Sequence, residues 1–174
     1  VLIDFIFRRS VPDYPLFIFA AILPWKWFTS SVYDAITSVV GQERLIKQIH
    51  FPKIVLPVAS TFAGIANFGF GLIPLAALLV LFFPSRINPN LVWIPAIAAV
   101  QLVFTLAFCF LVAAVNVFFR DVANIARHAL RLWFYLSPAL YSYSQVEQIS
   151  RDNQLIGLAM TLNPWTWIFE SYRN

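Results

Sequence analysis

The sequence predicts an all-α, polytopic membrane protein, and three observations carry that reading. Between Ile54 and Phe83 the chain runs thirty residues without a charged side chain, and between Leu91 and Phe119 it does so again for twenty-nine. A helix rises about 1.5 Å per residue, so about 20 apolar residues cross a hydrocarbon layer roughly 30 Å thick. The two runs are joined by only seven residues, Pro84–Asn90, and so predict an antiparallel pair of spans. Composition agrees: 60% of residues are hydrophobic and 11% charged, against ~25% charged in an ordinary soluble domain.

With 174 residues there is room for about four or five spans with short loops, and none for a further soluble domain. The chain opens at Val1 and stops soon after a fresh apolar start at Trp165, the pattern expected of an internal piece of a longer polytopic protein. The net charge of +4 is spread over single basic residues without an aromatic-basic alternation, which sets nucleic acid aside. The one cysteine, Cys109, has no intrachain partner for a disulfide.

Residues 1–9 read as the end of an earlier span, closed by Arg8-Arg9 and the turn Ser10–Pro12. The next span, 14–40, carries Lys26 and Asp34. Charges within a span face protein or an aqueous path, because a charge at the bilayer centre costs about 2.5–3.5 kcal/mol even on a lenient scale. Pro24-Trp25-Lys26-Trp27 suits a kink with Trp rings at an interface, and Lys26 is then either a snorkelling anchor or a contact to substrate or lipid phosphate. From Gly41 to Pro52 the pattern changes: Leu45, Ile46 and Ile49 fall within an arc of about 100°, with Glu43, Arg44, Lys47, Gln48 and His50 around the rest. Pro52 ends this short amphipathic helix, which either rests on headgroups or docks another subunit.

The span 54–83 holds Pro57 and Pro74, and its Gly64 and Gly69 allow close helix approach. The span 91–119 leads to Arg120-Asp121, where Asp121 is placed to cap the following helix. The fifth span, 122–141, carries Arg127 and Arg131 on one face. Its uninterrupted apolar part, Leu132–Tyr141, covers about half a membrane thickness, so the span must start in a wet surface or tilt and break. Residues 142–164 read as a surface loop with a half-inserted helix at Leu155–Leu162, tolerated where protein or water covers its backbone ends. Asn163-Pro164 breaks that helix before Trp165, where the last span, 165–174, begins. The side carrying 41–53 and 120–131 holds six basic residues against four or five opposite, which places the amphipathic helix and the Arg120-Asp121 turn in the cytoplasm.

Chemistry of other kinds has no seat. Five glycines leave no Walker A loop or dinucleotide fingerprint. His50 and His128 lack ligands at metal spacing, and no carboxylate pair shares a helix face for acid–base work. No catalytic residue, metal or cofactor is expected in this chain. Lys26 and Asp34 leave ion-coupled transport as an open alternative.

Five pieces, in order, resemble the ABC-2 type permeases that export polysaccharides and related lipid-linked glycans from bacteria, such as O-antigen, capsule and teichoic acid. They are Leu23-Pro24-Trp25 with Phe28 and Ser30-Ser31; Leu45-Ile46-Lys47 with Phe51-Pro52-Lys53 and Leu56-Pro57; Asn116–Val122; Leu132–Pro138; and Leu162-Asn163-Pro164 with Tyr172-Arg173. The resemblance implies a type V-like transmembrane domain in the bacterial cytoplasmic (inner) membrane, with about five of six spans present here. It implies a homodimer around a central path, and separate nucleotide-binding subunits that carry ATP and Mg. Segment 41–52 matches the coupling helix and 142–164 the extracytoplasmic gate. The implied ATPase contacts are Glu43, Arg44, Leu45, Lys47, Arg120 and Asp121. The substrate path is expected at Trp25, Lys26, Trp27, Tyr33 and Asp34, and the gate at Gln148, Asn163 and Pro164. Aromatic residues, 17% of the chain, offer faces for sugar stacking or ordinary lipid-facing filler. The alternatives are an ABC-2 exporter of drugs or small lipids, and a secondary transporter or channel using Lys26 and Asp34.

Overall fold

The computed structural model describes residues 13–41, 52, 54–119, 121–139 and 154–173, and the regular elements among them are helical. We number them α1 (Tyr14–Gly41), α2 (Val55–Phe82), α3 (Ile94–Phe118), α4 (Val122–Leu136), α5 (Gln154–Leu162) and α6 (Pro164–Arg173). Two short 3₁₀ turns, Pro84–Arg86 and Pro89–Trp93, join α2 to α3. Among the described residues, three stretches are long and apolar enough to cross a membrane: Tyr14–Ser38, Val55–Phe82 and Pro89–Phe118. The chain is a membrane protein.

Helix α1 is the axis of the bundle, packing on α2, α3, α4 and α6. It continues through Pro24, although proline removes one rung of the helical ladder. On α2 the buried residues Pro57, Thr61, Gly64 and Phe68 recur every three or four positions, and on α3 Gln101, Thr105, Cys109, Ala113 and Asn116 do the same. Each helix therefore presents one narrow stripe inward. The opposite faces carry exposed Phe62, Phe70, Ile73, Leu81, Val100, Val103 and Leu111. Small and polar groups inside with large apolar groups outside is the reverse of a water-soluble bundle, and it suits a solvent of lipid tails.

Helix α4 stops at Leu136, short of the boundary at 141 that the sequence predicts. Ser137 takes an extended conformation, φ −90° and ψ 149°, as the clash with the following Pro138 ring requires. At 15 residues α4 is about 22 Å long, less than the hydrocarbon thickness. The expected helix end at 1–9, nearly all of the amphipathic segment 41–52, and the loop from 142 to 153 lie outside the described residues.

Candidate functional site

The middle of α1 sorts its aromatic side chains to two sides. Trp25 and Phe28 sit one turn apart and point into the core. The Trp25 ring lies 4.8 Å from Trp165, 5.3 Å from Phe134 and 6.3 Å from both Trp133 and Phe169, centroid to centroid. Phe28 meets Trp165 at 4.8 Å and Phe108 at 5.3 Å. These tilted and edge-on pairs use the favourable aromatic geometry, and they hold α1, α3, α4 and α6 together. Trp27 faces α2 instead, stacked on Phe68 at 5.1 Å with its indole N–H donating to the Thr61 carbonyl at 3.2 Å. Of the expected path residues, Trp25 and Trp27 are 9% and 2% exposed, Tyr33 is half-buried against the core, and Lys26 and Asp34 are exposed. Lys26 and Asp34 stand eight residues apart, about 12 Å along the helix, and do not form the ionisable pair of the secondary-transporter alternative.

The inward stripe of α3 is a polar strip with two ties to α1. The Gln101 amide donates to the Pro24 carbonyl at 2.9 Å, and the Asn116 amide donates to the Ile36 carbonyl at 2.7 Å. Their other ends, Gln101 Oε1 and Asn116 Oδ1, are buried without a partner among the described residues, as are the hydroxyls of Ser31 and Thr105. Sequence reasoning passed over these residues. The available signal was the helical spacing of Gln101, Thr105, Cys109 and Asn116 inside an uncharged run.

Asn163 organises the region expected to form the gate. It separates α5 from α6, with Pro164 as the first residue of α6, where its missing N–H costs nothing. Asn163 Oδ1 accepts the Trp165 backbone N–H and the Trp133 indole N–H, both at 3.1 Å, and Asn163 Nδ2 donates to Ser137 Oγ at 2.8 Å. The Leu132–Pro138 and Leu162–Pro164 pieces thus form one hydrogen-bonded unit. Arg173 closes its far end, donating to the carbonyls of Pro138 at 2.7 Å and Ala139 at 2.6 Å while its guanidinium lies 3.4 Å over the Phe17 ring.

A cleft of about 780 Å³ opens between the first half of α1, the second half of α2, the 84–93 turns and the end of α6. Leu16, Leu23, Leu75 and Ile97 form its apolar walls, and Asp13, Arg86 and Arg173 lie among its polar lining. Arg86 and Asp13 pair at 2.7 Å.

Glu43, Arg44, Leu45, Lys47, Arg120 and Gln148 lie outside the described residues. Asp121 corrects an expectation. Its backbone is helical (φ −77°, ψ −9°) and its side chain makes no capping bond, since a side-chain cap needs an extended N-cap backbone. Its carbonyl instead accepts the N–H groups of Asn124 and Ile125 at 3.0 and 3.1 Å, leaving the exposed carboxylate uncommitted to the helix start.

No family model matches the chain. It is 32% identical over 173 residues to the O-antigen export system permease protein RfbA of Myxococcus xanthus, covering 99% of this chain and 65% of that protein. Two proteins of the same name from Klebsiella pneumoniae are 29% and 27% identical, over 94% and 97% of this chain and 64% and 63% of their own lengths. The chain thus spans just under two thirds of the curated relatives it matches. By sequence the chain is similar to these O-antigen export permeases over nearly its whole length.

Proposed function

We propose that this chain is part of the multi-pass permease subunit of an ATP-driven exporter that moves a lipid-linked cell-surface polysaccharide across the bacterial cytoplasmic membrane. The observation that carries the reading is the 32% identity sustained over 173 residues with an O-antigen export permease. The body it runs through supports it: spanning-length helices whose interior is aromatic and polar. On this reading the chain does no bond chemistry, and ATP and Mg belong to a separate nucleotide-binding subunit. The segment 41–52 docks that subunit on the cytoplasmic side, together with the Arg120-Asp121 turn. A second copy of the permease completes the path, and 142–164 guards its outer end.

The test is made on the full-length protein in its own cells. Deleting the gene should leave polymer inside the cell while surface polymer, read by antibody on intact cells, disappears. The wild-type gene should restore it. The double reversal Glu43→Lys with Arg44→Glu should insert in the membrane, fail to co-purify the ATPase and fail to restore export. Surface polymer unchanged by the deletion would sink the functional reading, and normal export by the double reversal would sink the docking role.

A further inference from the structure

Helix α4 divides its circumference into three. Ala123, Ala126, Leu130, Trp133 and Phe134 pack against the core and occupy one arc of about 100° at 100° per residue. Asn124, Arg127, His128, Arg131 and Tyr135 are all exposed and occupy a second arc of about 100°. The remaining arc is the apolar, exposed series Ile125, Ala129, Leu132 and Leu136.

The neighbours of α4 fix its course. Just before it, Asn116 bonds the Ile36 carbonyl near the end of α1. Trp133 lies 5.9 Å from Phe28 and 6.3 Å from Trp25, at the middle of α1. Just after it, Pro138 and Ala139 share Arg173 with Phe17, in the first turn of α1. Helix α4 therefore runs alongside α1 through the layer and does not lie flat on its surface. Phe28 is about 20 Å from either end of α1, so Arg131, half a turn before Trp133, sits near mid-depth, with Arg127 one turn closer to the Ile36 end. Neither guanidinium has a hydrogen-bond or ion-pair partner among the described residues. Two exposed guanidiniums with no partner among the described residues would each cost several kcal/mol if they faced lipid tails at that depth, so this arc faces water or an anion.

Resting on the export reading above, we propose that the α4 arc lines the translocation path and that Arg127 and Arg131 bind the phosphate or diphosphate group joining the exported polymer to its lipid. Charge complementarity carries the choice: two planar forks match phosphate oxygens bidentately, and the three remaining side chains supply hydrogen-bonding groups at i, i+4 and i+11. Bilayer headgroups are a poorer fit for Arg131, since they lie about 15 Å from mid-depth, half the layer thickness.

The experiment uses full-length permease with its ATPase partner in nanodiscs of phosphatidylcholine, with a radiolabelled polyprenyl diphosphate and the matching polyprenol as probes. Wild type should prefer the diphosphate. Arg131→Gln should weaken it by roughly tenfold or more, as expected for one lost charge-assisted contact, with the Arg127→Gln/Arg131→Gln pair weaker still. Polyprenol binding should stay unchanged, which a misfolded variant could not show. Arg131→Lys, which keeps the charge and loses the fork, should fall between. Equal binding of the diphosphate by wild type and the double variant would overturn the assignment, as would equal affinity of wild type for the two probes. Displacement of the probe by added phosphatidylglycerol would give the arginines to bilayer headgroups and overturn it too. A double variant that binds weakly in vitro but exports normally would overturn the role in the path while leaving the export reading intact, whereas normal surface polymer in the deletion strain would remove both.

Discussion

Trp133 and Asn163, thirty residues apart, are joined by one hydrogen bond of 3.1 Å from indole N–H to side-chain carbonyl. The same Asn163 oxygen also accepts the first free N–H of α6, from Trp165. One amide thus caps one helix and anchors another, so its loss should cost more than any single bond it makes. Asn163→Ala removes three bonds at roughly 0.6–1 kcal/mol each, for a total of about 2 kcal/mol. Ser137→Ala removes one of the three together with the hydroxyl's own bond to the Trp133 carbonyl one turn back, at 2.7 Å, a local back-bond of little net worth, so it should cost about 1 kcal/mol. Denaturant unfolding in detergent, followed by near-UV circular dichroism of the tryptophans, should rank them in that order. Equal losses would mean that the bonds of Asn163 to Trp133 and Trp165 contribute little.

The glycines of α2 give a graded series. A Cβ built on Gly64 would lie 2.5 Å from both Ser31 Oγ and Trp27 Cδ1, where Trp27 is locked by Phe68 and the Thr61 carbonyl. At Gly71 the closest atom is a Leu23 methyl at 2.5 Å, the mobile tip of a side chain, and at Gly69 nothing lies within 4 Å. Gly64→Ala should destabilise by about 1–3 kcal/mol, the usual cost of overpacking. Gly71→Ala should cost less, and Gly69→Ala should be neutral or stabilising by up to about 1 kcal/mol. Thermal midpoints of the three variants in one detergent test the order, and a Gly69→Ala loss as large as that of Gly64→Ala would contradict it.

Gln101 tests the meaning of its half-satisfied amide. Gln101→Leu gives up one bond to the Pro24 carbonyl, yet it also removes a buried oxygen with no partner among the described residues. The two effects, each on the order of 1 kcal/mol, oppose each other, so the net change should be small. Gln101→Glu buries a carboxylate with no cation beside it among the described residues, and should abolish stable insertion. Expression level and monodispersity separate the two variants. A Glu variant as stable as the Leu variant would reveal water in this strip.

The apolar runs made α2 and α3 legible, because hydrocarbon thickness sets a length that few soluble segments reach. The break at Asn163-Pro164 was legible from proline chemistry. The burial of Trp25 and Trp27 was not, since a Trp beside Lys26 reads equally as an interface anchor until Trp133, Trp165 and Phe169 are brought against Trp25 from more than a hundred positions away, and Phe68 against Trp27 from α2. The end of α4 at Leu136 was written in Ser137-Pro138, but the apolar run through Tyr141 masked it. The side-chain cap expected of Asp121 failed because residue type gives cap preference and not the backbone conformation that a cap needs. The ties from Gln101 and Asn116 were hidden by their isolation in runs read for length alone.

The two arginines nearest the ends of the helices separate buried from surface electrostatics. Arg173 forks onto two successive carbonyls and stacks on Phe17, a geometry that a lysine ammonium cannot reproduce. Arg173→Lys should therefore leave one carbonyl unsatisfied and lose the stacking, at about 1–3 kcal/mol. Arg86 pairs with Asp13 through side chains that are 50% and 28% exposed, where water and salt screen the attraction, and Arg86→Lys should cost below about 1 kcal/mol. Salt makes the contrast measurable. Raising ionic strength should shrink the difference between wild type and Arg86→Lys, because that term is Coulombic and solvent-exposed. It should leave the Arg173→Lys loss largely intact, because hydrogen-bond geometry and ring contact are not screened. A salt dependence as steep for Arg173 as for Arg86 would place its guanidinium at an open surface and remove it as the tie between α1, α6 and the turn after α4.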